Sequence, residues 1–233
     1  MRYIFGVPSA GAGPTEYEDW PDVIGKDIIF KKTAYQKSLT GPYIDEMSQA
    51  AEVVADSILS IAGREDDIYL FGHCMGAAVA YETASLLLRE YDIHIKALFV
   101  SAFISPDVPI EDGISDLDDD AFIEEIHGHG TFPEEFFIKK SLLKLFLPRI
   151  KAEYRMIEGY VDKDGFKLDC PIIGFFAEDD EEVRPEATEG WKNYTTASFE
   201  RIYIPGDHYS YYKNQKNIIE VIVRRTSLWI RKV

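Results

Sequence analysis

Apolar residues recur along this chain in two rhythms that alternate. Short, nearly continuous runs such as Arg2 to Val7, Asp27 to Phe30, Ile68 to Phe71 and Ile95 to Ala102 read as strands. Leu98-Phe99-Val100 has no polar partner on either side, which predicts a strand covered on both faces. Between them, Ile44 to Ile61 places Met47, Ala51, Val54, Ile58 and Ile61 at helical spacing, and Gly63 closes it. A second helix, rich in alanine and leucine, is predicted from Met75 to about Arg89. Strands that alternate with helices in this way predict a parallel sheet with helices on both faces.

The alternation stops at Ser105 and resumes at Pro171. Between these points Leu117 to Ile126, Pro133 to Leu147 and Arg149 to Tyr160 read as short amphipathic helices, the last two separated by Pro148. A long insertion between sheet strands is usually functional. Residues 105–160 are therefore expected to form a helical lid on a core made of 1–104 and 161–233, within a single domain overall. Strands return at Pro171 to Phe176 and Phe199 to Ile204, and Asn217 to Ile230 is expected to close the chain as an amphipathic helix.

The 233 residues suit one α/β domain, and 46% hydrophobic content with 14 Tyr and 14 Phe supplies a sizeable core. A formal charge of −16 speaks against nonspecific nucleic-acid binding and against an anionic membrane surface. Two cysteines, Cys74 and Cys170, are too few for a disulfide framework. With no signal-like leader before Tyr3-Ile4-Phe5 and no apolar run of about 20 residues, a cytoplasmic protein is expected.

The chemistry concentrates where strand rhythm meets helix rhythm. Gly72-His73-Cys74-Met75-Gly76 ends a strand and opens a helix, the setting of the nucleophile elbow Gly-x-Ser-x-Gly with cysteine at the nucleophile. Glycines two residues before and after leave room for the sharp turn. The acidic turn Glu178-Asp179-Asp180 and His208 each follow a predicted strand too, so all three lie on the carboxyl rim of a parallel sheet. Nucleophile, then acid, then histidine is the order found in α/β-hydrolases. The small-residue loop Pro8-Ser9-Ala10-Gly11-Ala12-Gly13-Pro14 follows the first strand and lets backbone amides approach a ligand. His127 and His129 in Gly-His-Gly lack a third partner and are not expected to bind metal.

Over nearly its whole length the chain resembles the type II, stand-alone editing thioesterases that accompany nonribosomal peptide and polyketide synthases. Pro8-Ser9-Ala10-Gly11-Ala12 is similar to that family's Pro-x-Ala-Gly-Gly loop, with Trp20 downstream as in the family. Gly72-His73-Cys74-Met75-Gly76-Ala77 matches Gly-His-Ser-Met-Gly-Ala except at the nucleophile. Leu147-Pro148-Arg149-Ile150-Lys151-Ala152-Glu153 resembles Leu-Pro-x-Leu-Arg-Ala-Asp in the lid. Ala177-x-x-Asp180-x-x-Val183, followed by Trp191, and Gly206-Asp207-His208-Tyr209 stand in for Gly-x-x-Asp-x-x-Val and Gly-x-His-Phe.

The resemblance implies an α/β-hydrolase fold with Cys74 as nucleophile, His208 as general base and Asp180 orienting the imidazole, Asp179 being the alternative acid. It implies an oxyanion hole made of the backbone N–H groups of Ala10 and Met75. The substrate would be an acyl thioester on the phosphopantetheine arm of an acyl or peptidyl carrier protein, with no metal or cofactor, and a monomer is expected. Cysteine in place of serine makes acyl capture easy, because exchange of one thioester for another is nearly thermoneutral. Acyl transfer from Cys74 to an amine or thiol is therefore an alternative to hydrolysis, as is a non-catalytic carrier-binding module. Cysteine hydrolases of the dienelactone type share the Gly-x-Cys-x-Gly elbow, and an engineered serine replacement would read the same. For docking an acidic carrier protein, the dense basic residues are Lys139, Lys140, Lys144, Arg149, Lys151 and Arg155, opposite the acidic start of the lid at Glu111, Asp112, Asp116 and Asp118 to Asp120.

Overall fold

A computed structural model describes residues 1–36, 40–110, 113–128, 134–181 and 183–230. Six strands form one sheet: β1 (Arg2–Val7), β2 (Ile29–Lys32), β3 (Asp67–His73), β4 (Ala97–Ser101), β5 (Ile172–Ala177) and β6 (Phe199–Ile204). Their order is β2-β1-β3-β4-β5-β6, and every adjacent pair runs parallel. All carboxyl ends therefore meet at one rim, and the winding reverses between β1 and β3. A crevice opens at such a switch point.

The sheet is covered on both faces, as the unbroken apolar runs require. On one face Phe5, Val7, Leu70, Leu98, Val100 and Ile172 pack against helices α2 (Met47–Leu59) and α3 (Met75–Tyr91). On the other, Ile4, Tyr69, Phe71, Phe99, Ile173 and Phe175 meet α1 (Trp20–Val23) and α8 (Tyr211–Ile230). Trp20 sits at the centre of that second layer, with ring centroids 4.7 Å from Phe71 and 5.2 Å from Tyr17. Between β4 and β5 the chain forms α4 (Asp119–Gly128), α5 (Glu134–Ile138) and α6 (Lys140–Glu158), with a small core of Phe122, Ile126, Leu147 and Ile150. The short helix α7 (Pro185–Thr188) follows β5.

Several element ends differ from the sequence reading, most by one to three residues, and three of the differences have a clear physical cause. The second strand is displaced to Ile29–Lys32, taking in two lysines, because β2 is the sheet edge and its outer side faces water. The closing helix starts at Tyr211, six residues earlier than expected, since Tyr211 is buried among the core aromatics while Tyr212 and Lys213 stay exposed and hide the apolar stripe. Pro148 does not divide the last two insertion helices. The break lies at Lys139, and α6 runs continuously through the proline. Leu143, Leu147 and Ile150 are buried on both sides of it, and packing of that stripe outweighs the roughly 3 kcal/mol that an interior proline costs.

Candidate active site

The turn between β3 and α3 is closed to side chains on either side of Cys74. A Cβ on Gly72 would lie 2.1 Å from the carbonyl oxygen of Gly76, and one on Gly76 would lie 2.2 Å from that of Val7. Cys74 itself is held at φ 49° and ψ −129°, a conformation that L-residues rarely adopt. Two backbone hydrogen bonds hold it there: its N–H donates to Ser101 at 2.8 Å, and Ala77 N–H donates to its carbonyl at 2.9 Å. The thiol is half-buried and stands at the N-terminus of α3, where helix amides favour negative charge. Cys170 is buried below the rim, and burial, reinforced by Asp169, pushes its thiol up to about 12.

Asp180 and His208 come together at the ends of β5 and β6. His208 Nδ1 donates to Asp180 Oδ2 at 2.9 Å, and Asp180 Oδ1 accepts the Val183 N–H at 2.7 Å. That tautomer leaves Nε2 as the basic nitrogen. Both residues are buried, whereas Asp179 is exposed, so of the two aspartates it is Asp180 that meets the imidazole. The His208 ring lies 6.1 Å from that of His73, the residue preceding Cys74. His73 is stacked on Tyr211 at 3.9 Å and lies 3.1 Å from Ser101 Oγ. Burial, and secondarily His208, hold His73 well below the ordinary histidine range, so it stays neutral. Sequence reasoning assigned it no part, since a histidine inside a motif carries no sign of what it stacks on.

The loop after β1 lies across the switch point from the elbow. Tyr17 OH donates to Val7 O at 2.7 Å and Tyr35 OH to Ser9 O at 3.1 Å. The Ser9 N–H donates to Glu16 Oε2 at 2.8 Å, and the Gly11 N–H donates to Glu153 Oε2 at 2.5 Å. Among the described residues, the N–H groups of Ala10 and Met75 have no protein acceptor. Burial raises the Glu16 carboxyl to about 7. Glu153 has no exposed side-chain surface and is raised in the same direction, opposed by Arg149, whose Nε lies 2.8 Å from Oε1. Glu16 escaped the sequence reading altogether, and Glu153 entered it only as the end of a motif. A cavity of about 480 Å³ lies between this loop and the insertion, lined among others by Gly13, Glu16, Phe136, Phe146, Arg149 and Tyr212.

The basic residues of the insertion divide. Lys151 Nζ is taken by Leu117 O at 2.6 Å and Asp119 Oδ1 at 3.1 Å, and Arg149 by Glu153. Neither is available to a partner, so the expected docking patch shrinks. Lys139, Lys144 and Arg155 are exposed. The Lys140 side chain, Glu111, Asp112 and His129 lie outside the described residues. His127 packs on Phe137 with centroids 4.4 Å apart, and no group of three metal-ligating side chains occurs among the described residues. No described helix is long and apolar enough to cross a membrane.

Three comparisons bear on this geometry. A family model described as the thioesterase domain matches residues 2–226. The gramicidin S biosynthesis protein GrsT of Aneurinibacillus migulanus is 26% identical over 97% of this chain and 89% of its own length. The thioesterase PikA5 of Streptomyces venezuelae is 30% identical over 83% of this chain and 69% of its own. Among solved structures, ClbQ from the colibactin NRPS/PKS pathway superposes with a TM-score of 0.90, at 27% identity and 98% coverage of both chains. The parallel sheet flanked by helices is thus the α/β-hydrolase fold of these thioesterases.

Proposed function

The chain belongs to the thioesterase domain family, enzymes that hydrolyse thioesters, and from that premise we propose that it is a stand-alone type II thioesterase of a nonribosomal peptide or polyketide pathway. Its substrates are stalled or misprimed acyl groups on the phosphopantetheine arm of an acyl or peptidyl carrier protein. The observation that carries this reading is the buried His208–Asp180 pair on the same rim as a cysteine in a strained elbow. The likeness to GrsT, named for gramicidin S biosynthesis, and to ClbQ, from an NRPS/PKS pathway, supports the pathway class.

In this mechanism His208 Nε2 takes the Cys74 thiol proton as Sγ attacks the thioester carbonyl. The oxyanion of the tetrahedral intermediate receives the N–H groups of Ala10 and Met75. Collapse breaks the bond to the phosphopantetheine sulfur, which leaves with the proton held by His208. Asp180 keeps the imidazole in the required tautomer and stabilises its charged form. Water, deprotonated by His208, then attacks the Cys74 thioester and releases the free acid. Residues 105–160 act as a lid that shields this acyl-enzyme, with the cavity beside Phe136 and Phe146 beneath it. Because the intermediate is itself a thioester, an amine or thiol entering the site competes with water, and acyl transfer is the second outcome of the same chemistry.

The test is Cys74→Ala on a panel of acyl-loaded carrier proteins. Turnover is expected to fall by at least about 10³-fold with the fold intact, while Cys170→Ala retains full rate. Mass spectrometry of the wild-type enzyme under rapid quench is expected to show the acyl mass on Cys74. Undiminished turnover by Cys74→Ala would remove the reading. Cys74→Ser with a free amine present measures the partition between hydrolysis and transfer, and an identical ratio in both enzymes denies the cysteine any part in acceptor choice.

A further inference from the structure

Three successive peptide units of the loop after β1 are anchored, and the middle one carries the Ala10 N–H, which has no protein acceptor among the described residues. The unit ending in the Ser9 N–H is held by Glu16 Oε2 at 2.8 Å. The unit from Ser9 to Ala10 is held through its carbonyl, which accepts Tyr35 OH at 3.1 Å and the Ala12 N–H at 3.3 Å. The unit from Ala10 to Gly11 is held by Glu153 Oε2 on the Gly11 N–H at 2.5 Å. In a trans peptide the N–H points opposite to the C=O, so anchoring the Ser9 carbonyl aims the Ala10 N–H the other way. With its neighbours on both sides fixed, that plane has little freedom to rotate.

We propose that Glu16 and Glu153 are positioning residues that clamp the amides on either side of Ala10 and thereby fix the Ala10 N–H as an oxyanion donor. The inference rests on the site reading above, in which that amide faces the tetrahedral intermediate. The two carboxyls reach the loop from independent directions. Glu16 comes from the turn that continues the loop, and its second oxygen also accepts Ser9 Oγ at 3.1 Å. Glu153 comes from α6, 142 positions along the chain, so the insertion contributes to the geometry of the hole. Carboxylates so placed would oppose an oxyanion if fully charged. Burial favours the protonated form of both, and Arg149 offsets the charge that Glu153 carries. Either protonation state retains an oxygen that accepts the amide.

The test compares Glu16→Ala, Glu153→Ala and the corresponding glutamine variants on an acyl-N-acetylcysteamine substrate. Each is also titrated with an acyl trifluoromethyl ketone and with a thioether of the same chain. The ketone takes Cys74 Sγ onto its carbonyl carbon and becomes an oxyanion, the thiol proton passing to His208, whereas the thioether cannot react. Each alanine variant is expected to lower kcat about 10- to 100-fold, short of outright loss of a donor, with KM within about 3-fold. Inhibition by the ketone is expected to weaken by the same factor and inhibition by the thioether to stay unchanged. Glutamine, which keeps an acceptor oxygen, is expected to restore kcat to within about 3-fold of wild type. Unchanged kcat in both alanine variants, parallel loss of ketone and thioether binding, or glutamine variants as poor as alanine would overturn the clamp. Should Glu153→Ala fail to fold, Glu16→Ala and the glutamine variants decide on the same criteria. Ketone binding that survives Cys74→Ala brings down the site reading instead, so the two failures are separable.

Discussion

A carboxyl group kept from water holds its proton to higher pH, and the Glu16 carboxyl, lodged against Ser9, Tyr17 and Tyr212, is raised from 4.5 to about 7. Between those values the folded protein binds a proton that the unfolded chain has released. Its contribution to stability is therefore complete below about pH 4.5 and is lost as pH rises through about 7. Glu16→Gln, neutral throughout, is expected to remove that slope. Denaturant midpoints of the two proteins at pH 4.5, 6 and 8 measure it, the wild type declining relative to the variant and then levelling. His73 acts with the opposite sign. Its depressed value means that unfolding takes up a proton below about pH 6.5, so stability falls on that side. What was legible at this scale divides the same way. Cys74, Asp180 and His208 each follow closely on a strand, Cys74 and His208 within two residues of a glycine, and their positions are written in the pattern. Glu16 has no periodic neighbour to mark it, and what makes it matter is burial in a fold that brings Tyr212, nearly two hundred positions away, against its carboxyl.

Helix α6 shows where an element escapes its own sequence. A proline inside a helix removes one hydrogen bond and reads as a boundary, yet burial of Leu143, Leu147 and Ile150 carries the helix across Pro148. The break falls instead at Lys139, where nothing in the composition announces it. Pro148 and Lys144, whose carbonyl loses its i+4 amide donor to the proline, are both exposed. Pro148→Ala is expected to stabilise the protein by about 1–2 kcal/mol, the regained hydrogen bond outweighing the added entropy of the unfolded chain. Urea denaturation checks it, and a destabilised variant would mean that α6 depends on a bend at that residue. The sheet strands were easier to read, because a central parallel strand has to be apolar on both faces. The edge strand β2 was misplaced by two residues for the converse reason, since water on its outer side admits Lys31 and Lys32.

At the scale of the whole molecule, a charge of −16 opposes approach by another acidic protein. With Arg149 and Lys151 occupied internally, the cations of α6 that remain exposed among its described side chains are Lys144 and Arg155. Eleven residues apart, they lie within about 20° of one another around the helix and about 16 Å apart along it. Reversing both to glutamate is expected to raise the KM for an acyl-carrier protein several-fold, with a smaller effect at high salt. An N-acetylcysteamine thioester should be processed as before, because it makes no surface contact. Equal losses on both substrates would indicate damage to the insertion, and no loss on either would place carrier docking elsewhere.

The position of the insertion in the chain also affects how the protein is made. Strand β4 is apolar and buried on both faces, but its partner β5 lies about 70 residues further along, beyond α4 to α6. A ribosome adding roughly 5–20 residues per second needs some 4–14 seconds to supply it. During that interval the newly made half-sheet has an open, unpaired β4 edge able to pair with another chain. The proposed acid–base pair is completed later still, since His208 follows both β5 and β6 in the chain and Asp180 stays without its partner until then. The nascent enzyme thus passes through a sticky and inert stage, and slowing translation within the insertion would prolong it.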